Sequence, residues 1–180
     1  QTRMAPAPVE TVRVKPPYPQ ELDEALKDGC HGKVAAHEYA QILEDPALTA
    51  DFVRARLESK RRWFAAHRAE CAPRAGESWQ ELVLRVMYQD NLGIEVPRDG
   101  VVVCSDENLL IVDWQSWCPV LMYCAHKGQP TVPVCSVLYQ MQFQCLLSLV
   151  LPGAYFTRDY SRLRPGSSCC REIIFYENHA

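Results

Sequence analysis

Between Lys127 and Arg158 the chain carries no formal charge. A run of that length without a single ionic group has to be largely buried, so the rest of the fold must be arranged around it. Its apolar centre, Val134 to Leu151, is interrupted by Ser136, Gln140, Gln142, Gln144 and Ser148, and so does not read as a membrane span. Pro133 stands where a first helical residue belongs and Pro152-Gly153 supplies a stop, which predicts one long core helix. Ser136, Gln140, Gln144 and Ser148 recur every four residues and give that helix one polar, uncharged line. The line is expected to face a cavity or an oligomer interface, or else to lie along a solvated edge.

The segments around this helix alternate in a definite order. Val101 to Cys104 and Leu109 to Val112 are β-rich runs joined by Ser105-Asp106-Glu107-Asn108, a hairpin signature. Trp117-Cys118-Pro119 opens a short helix that reaches about His126. After the long helix, Ala154 to Tyr160 and Cys169 to Tyr176 read as two more strands, turned at Arg164-Pro165-Gly166. The order hairpin, helix, helix, hairpin predicts an α+β fold, an antiparallel sheet of about four strands packed on the long helix.

Residues 20 to 95 form a helical prefix to this cysteine-rich part at 100 to 177, and the whole of 20 to 180 is expected to be a single domain. Helices are expected at Glu21 to Lys27, Val34 to Leu43, Thr49 to Glu70 and Ser78 to Gln89. Residues 1 to 19 hold five prolines and read as an extended lead-in. They contain no apolar core of a secretory signal, so a cytoplasmic, reducing setting is expected. The net charge of -3 gives no reason to expect nucleic acid or an anionic membrane as partner. The basic residues Arg54, Arg56 and Lys60-Arg61-Arg62 read as a solvated helix face.

Six of the nine cysteines, Cys118, Cys124, Cys135, Cys145, Cys169 and Cys170, cluster around the uncharged segment, with Cys104 just upstream. Thiols expected to be reduced argue for metal binding or catalysis rather than for a disulfide framework. Cys118 directly before Pro119, and Cys135 two residues after Pro133, lie at helix starts, where the dipole and free N–H groups favour thiolate. The spacing C-x5-C-x10-C followed by the Cys169-Cys170 pair lacks the close pairs usual for structural zinc. It fits better a cysteine-ligated iron–sulfur cluster of the 4Fe–4S type, held by Cys118, Cys124, Cys135 and Cys170. A metal-free catalytic thiol and plain buried cysteines are the alternatives. Cys145, among leucines, reads as structural.

Asp113 and His126 are the candidates for moving a proton near these thiols. Each has a plainer reading, Asp113 as a turn or cap acid and His126 as a charge complementing a helix end. Arg158 and Arg164 could bind a substrate carboxylate, or Arg158, Arg164 and Arg171 could serve as cross-strand partners of Asp159 and Glu172.

The order strand, strand, Cys-led helix, long helix, and then a final strand carrying Gly166, Cys169, Cys170, Ile174 and Tyr176, resembles two families over about residues 100 to 177. One is the 2-aminothiazoline-4-carboxylate hydrolases and the other the 4-vinyl-reductase small-ligand domains. The chain departs from their pattern in having Gly166-Ser167-Ser168 where a Gly-Asp precedes the final cysteine. The resemblance implies a small α+β domain that handles a small organic molecule with sulfur groups, with Cys118, Cys135 and Cys170 as the matching positions.

These readings converge on an enzyme whose cysteine-ligated metal acts on a small, anionic or sulfur-containing substrate by hydrolysis or lyase chemistry. The first alternative is a metal-free hydrolase with Cys118 as nucleophile. The second is a non-enzymatic ligand-binding or sensor domain with a structural metal. The uncharged helix would also suit a homodimer interface.

Overall fold

A computed structural model describes residues 38–177. The expected helix at Glu21 to Lys27, the start of the one at Val34, the proline-rich lead-in and Cys30 lie outside the described residues.

Two helices open the described chain, α1 at Tyr39–Glu44 and α2 at Pro46–Ala66. Asp45 between them is extended, and its carboxylate accepts from the N–H groups of Ala47 at 2.8 Å and Leu48 at 3.3 Å. With Pro46 in the first helical position, this starts α2 one turn earlier than Thr49. Helix α3, Trp79–Val83, begins with a reciprocal capping box. Ser78 Oγ accepts from Glu81 N at 3.2 Å, and Glu81 Oε2 accepts from Ser78 N at 2.8 Å. It continues without a break as a π-helical stretch, Leu84–Asp90.

The second half follows the expected order. Strands β1 (Gly100–Ser105) and β2 (Leu109–Trp114) form the hairpin. Helix α4 (Pro119–Lys127) follows, closed by Gly128 in the left-handed conformation at φ 64°. The long helix α5 runs from Thr131 to Val150, with a π-helical stretch at Val134–Tyr139. It begins two residues before Pro133, which is tolerated in the first turn because an N–H there has no helical partner. Strands β3 (Tyr155–Arg158) and β4 (Cys170–Phe175) complete an α+β fold.

All four strands pair antiparallel in the order β1-β2-β4-β3, so the two hairpins meet through β2 and β4. Strand alternation sends Leu110, Val112, Trp114, Phe156 and Ile174 to the buried face, where they pack on Phe143, Leu146, Leu147 and Val150 of α5. By length and composition α5 would suffice to cross a membrane, but one side of it forms this core. A second cluster joins Tyr39, Ile42 and Phe52 to Val120, Cys124, Val134 and Leu138, and so ties α1 and α2 to α4 and the start of α5.

The polar line on α5 has a specific task. Strand β3 is a sheet edge, and Phe156 turns its backbone groups away from β4. Gln144 Oε1 accepts from Phe156 N at 2.7 Å while its Nε2 donates to Ala154 O at 3.0 Å, and Gln140 Nε2 donates to Phe156 O at 2.9 Å. Two glutamines one turn apart thus stand in for a fifth strand and block further pairing at this edge. Uncharged amides suit the position because they carry donor and acceptor together.

Candidate functional site

A cavity of about 370 Å³ lies where the two clusters meet, between the sheet and helices α2, α3, α4 and α5. Its volume falls in the range of small-molecule sites. Aromatic and aliphatic side chains cover much of the wall, among them Trp114, Trp117, Tyr139 and Phe143. Both π-helical stretches contribute, one through Tyr88 and the other through Cys135 and Tyr139. Wider helical turns re-aim side chains, and such stretches recur at functional sites.

Three of the four thiols expected to meet do reach this cavity. Cys118 enters from the start of α4, Cys135 from the first turns of α5, and Cys170 from the first residue of β4. Cys170 stands opposite Trp114 in the sheet register, on the buried face. Its neighbour Cys169 faces the other way, beside Asp113 and Ser167, as adjacent strand positions must. Cys124 is buried in the second cluster, outside the cavity wall. Among the described residues, no three His, Cys, Asp or Glu side chains stand together so as to hold a metal ion. Cys118, Cys135 and Cys170 share the cavity wall, and Cys124 lies apart from it.

The thiolate expected at the two helix starts is also opposed by burial. Desolvation pushes the Cys118 thiol up, although the nearby N–H groups of Leu121 and Val120 pull the other way. Burial pushes Cys135 up to about 12 against the favourable charge of Arg158. It pushes Cys124 to about 12 as well, with Cys118 adding to the shift. Cys170 has a different environment. Arg164 donates from Nε to Cys170 Sγ at 3.2 Å and from Nη1 to Ser116 O at 2.8 Å, so a guanidinium is locked against this one sulfur.

The expected proton-handling groups lie elsewhere. Asp113 is on the far face of the sheet and is held by its cross-strand neighbour Arg171, Nε to Oδ1 at 2.7 Å and Nη2 to Oδ2 at 2.8 Å. That bidentate bond keeps its carboxyl below the usual range, so the acid has a structural partner rather than a substrate. His126 is exposed in the last turn of α4, away from the cavity wall. Of the two arginines expected to bind substrate, both line the cavity, but Arg158 is committed inside the protein. It donates to Glu172 Oε1 at 3.1 Å and to Cys135 O at 3.2 Å, and lies over the rings of Phe143 and Phe156.

One wall residue, Arg56, had a readable signal in the sequence. Phe52, Arg56 and Lys60 are spaced by four and therefore share a helix face, yet the basic run looks like a solvated surface. In the fold Arg54, Arg61 and Arg62 are exposed, Arg56 is half-buried against the cavity, and Lys60 is buried. Tyr88, Glu172 and Trp114 form the floor. The Tyr88 hydroxyl donates to Glu172 Oε2 at 2.6 Å, and its ring lies 4.5 Å from that of Trp114. Burial, then the Glu172 charge, hold the Tyr88 hydroxyl well above its ordinary range, so it remains a donor.

No protein-family model matches the chain, and no match was found among curated proteins or among solved structures.

Proposed function

We propose that this domain binds a small organic molecule in the cavity and acts on it through the Cys170 thiol, without a resident metal. The observation that carries this reading is the contact of Arg164 Nε with Cys170 Sγ at 3.2 Å on the wall of a cavity of small-molecule size. The supporting contrast is that Cys118, Cys124 and Cys135 are all pushed towards the neutral thiol by burial. Cys118 therefore becomes a neighbour of the nucleophile rather than the nucleophile itself.

The chemistry in reach of one cavity thiol with a cation against its sulfur is acyl capture and hydrolysis. Cys170 sulfur forms a bond to the electrophilic carbonyl carbon, the leaving group departs with the bonding pair, and it takes the thiol proton. Water then cleaves the thioester, releasing the acid and restoring the thiol. Arg164 has a second role in that scheme, because its position beside the sulfur also places it beside the carbonyl oxygen as negative charge develops.

Alkylation by iodoacetamide, read cysteine by cysteine by mass spectrometry, tests the reading. Cys170 is expected to react faster than Cys118, Cys124 and Cys135 at pH 7, and Arg164→Gln is expected to slow it about tenfold, in line with loss of the cation beside the attacking sulfur. Equal rates at all four sites would sink it. The metal-centred alternative needs three of the four cysteines as ligands, and Cys118, Cys135 and Cys170 all line the cavity. Anaerobic purification with iron, sulfide and zinc analysis addresses it directly, and stoichiometric metal would favour it.

A further inference from the structure

The cavity wall is rich in N–H donors and short of acceptors. Arg56 donates from Nε to Gln142 Oε1 at 2.7 Å and lies 5.5 Å from the Tyr139 ring centroid, and among the described residues no carboxylate pairs with it. Because an arginine can only donate, Gln142 must turn its oxygen to Arg56, which leaves its amide nitrogen as a donor. Gln142 is only 4% exposed, so that donor is held in place. One turn after Arg56, Lys60 is 6% exposed. It donates to Asn91 Oδ1 at 2.5 Å and stands 5.6 Å from the Phe143 ring centroid, again with no carboxylate partner among the described residues. That contact takes the acceptor of Asn91 and leaves its amide nitrogen, so a second wall residue is turned into a donor.

The floor repeats the pattern. Trp114 is 3% exposed, and its indole Nε1 makes no hydrogen bond of ordinary geometry to any described group, although the Tyr88 hydroxyl is near. Glu172, the carboxylate on the wall, already accepts from both Tyr88 and Arg158. A buried cation without a counter-charge, or an N–H without an acceptor, is costly, and a ligand that brings oxygen acceptors and negative charge removes that cost.

From this donor excess we infer that the cavity takes an organic anion, with a carboxylate or phosphate group seated against Arg56, Gln142 and Asn91. Lys60 backs this seat through Asn91, and the apolar body of the ligand lies along Trp114 and Phe143. The inference rests on the cavity being a small-molecule site, but not on the reactivity of Cys170. It assigns the headgroup to Arg56, Gln142 and Asn91, and leaves Arg164 to the sulfur.

Calorimetry on the full chain at pH 7 with 4-phenylbutyrate, 4-phenylbutyl phosphate and the neutral 4-phenylbutanol tests it. At least one anion is expected to bind ten times or more tighter than the alcohol, and the tighter of the two identifies the headgroup. Arg56→Gln and Lys60→Met are each expected to reduce that preference at least fivefold, through weaker anion binding, with circular dichroism confirming the fold. Arg56→Lys, which keeps the charge, is expected to retain part of the preference. Equal affinity for anions and alcohol, or a preference that survives both Arg56→Gln and Lys60→Met, would overturn the inference and leave the cavity reading intact. Absence of binding by all three compounds would overturn both.

Discussion

Arg158 and Glu172 face each other across β3 and β4, with Nε to Oε1 at 3.1 Å and both side chains less than a tenth exposed. The pair sits at the cavity wall and is extended by Tyr88, so it anchors the floor to the sheet. Removing one member of a buried pair leaves an uncompensated charge, which costs far more than the pair itself contributes. Glu172→Gln is therefore expected to destabilise the domain by about 3 kcal/mol in urea unfolding. Replacing both residues, as Arg158→Met with Glu172→Leu, is expected to cost much less than the single change. A single variant with wild-type stability would contradict the buried pair.

Gln144 bonds two backbone groups at the β3 edge, Phe156 N and Ala154 O. Gln144→Leu keeps the helix but strips both partners, leaving a part-buried N–H and C=O unmatched. A loss of about 2 kcal/mol is expected. The freed edge should also pair with other chains, so light scattering on warming should rise earlier than for the wild type. Unchanged stability and scattering would show that the glutamine is dispensable at the edge.

The ββααββ order was readable because each element carried local punctuation, such as Pro119 and Gly128 around α4 or Pro152-Gly153 after α5. The site was only half readable for the same reason. Cys118, Cys135 and Cys170 could be picked out as residues that reach one end of the sheet, but whether Cys124 joins them depends on how α4 rotates over α5, which no local signal fixes. Asp113 and Cys170 lie on neighbouring strands on opposite faces, and one residue of register decides which faces the cavity. Arg56 and Lys60 were hidden because a basic run on a helix is usually solvated. Their burial is intelligible only once Gln142 and Asn91, from distant segments, are placed beside them.

Gly100 begins β1 where the backbone meets Trp114. A Cβ there would sit 2.7 Å from both Asp113 O and the Trp114 ring, so the strand, the indole or both must shift. Gly100→Ala is expected to cost on the order of 2 kcal/mol, as overpacking does. Because Trp114 lines the cavity, the change should also alter indole fluorescence and weaken 4-phenylbutyrate binding. Loss of stability with an unaltered emission spectrum would show that the strand, not the indole, yields.

Glu77 and Arg85 hold the connection between α2 and α3 to the body of the domain. Arg85 donates to both Glu77 oxygens, at 2.6 and 2.8 Å, and also to the carbonyls of Glu70 and Ala72. The Arg85 guanidinium holds the Glu77 carboxyl down at about 2 against an ordinary 4.5. The native state thus favours the charged form, so this stabilisation is complete above pH 4.5 and is lost as pH falls towards 2. It amounts to about 3 kcal/mol at most. Glu77→Gln should unfold earlier than the wild type at pH 7, and the difference should shrink steadily in urea titrations between pH 4.5 and 2. A difference independent of pH would show that the charge of Glu77 is not what matters.

At alkaline pH two opposite effects compete, and their sizes decide the outcome. Burial lowers Lys60 to about 8 from 10.5, so between those values the unfolded chain binds the extra proton and stability rises with pH, by about 3 kcal/mol in all. Burial raises Cys124 and Cys135 from 9.0 to about 12, so between those values the native state keeps protons that the unfolded chain has lost, and stability falls by about 4 kcal/mol for each thiol. Two thiols outweigh one amine. Stability is therefore expected to rise slightly from pH 8 to 9 and then to fall steeply towards pH 12. Cys124→Ala should flatten the fall, whereas Lys60→Met should remove the rise and leave the fall in place. A wild-type stability that keeps rising above pH 10 would mean that neither thiol is buried as protonated sulfur.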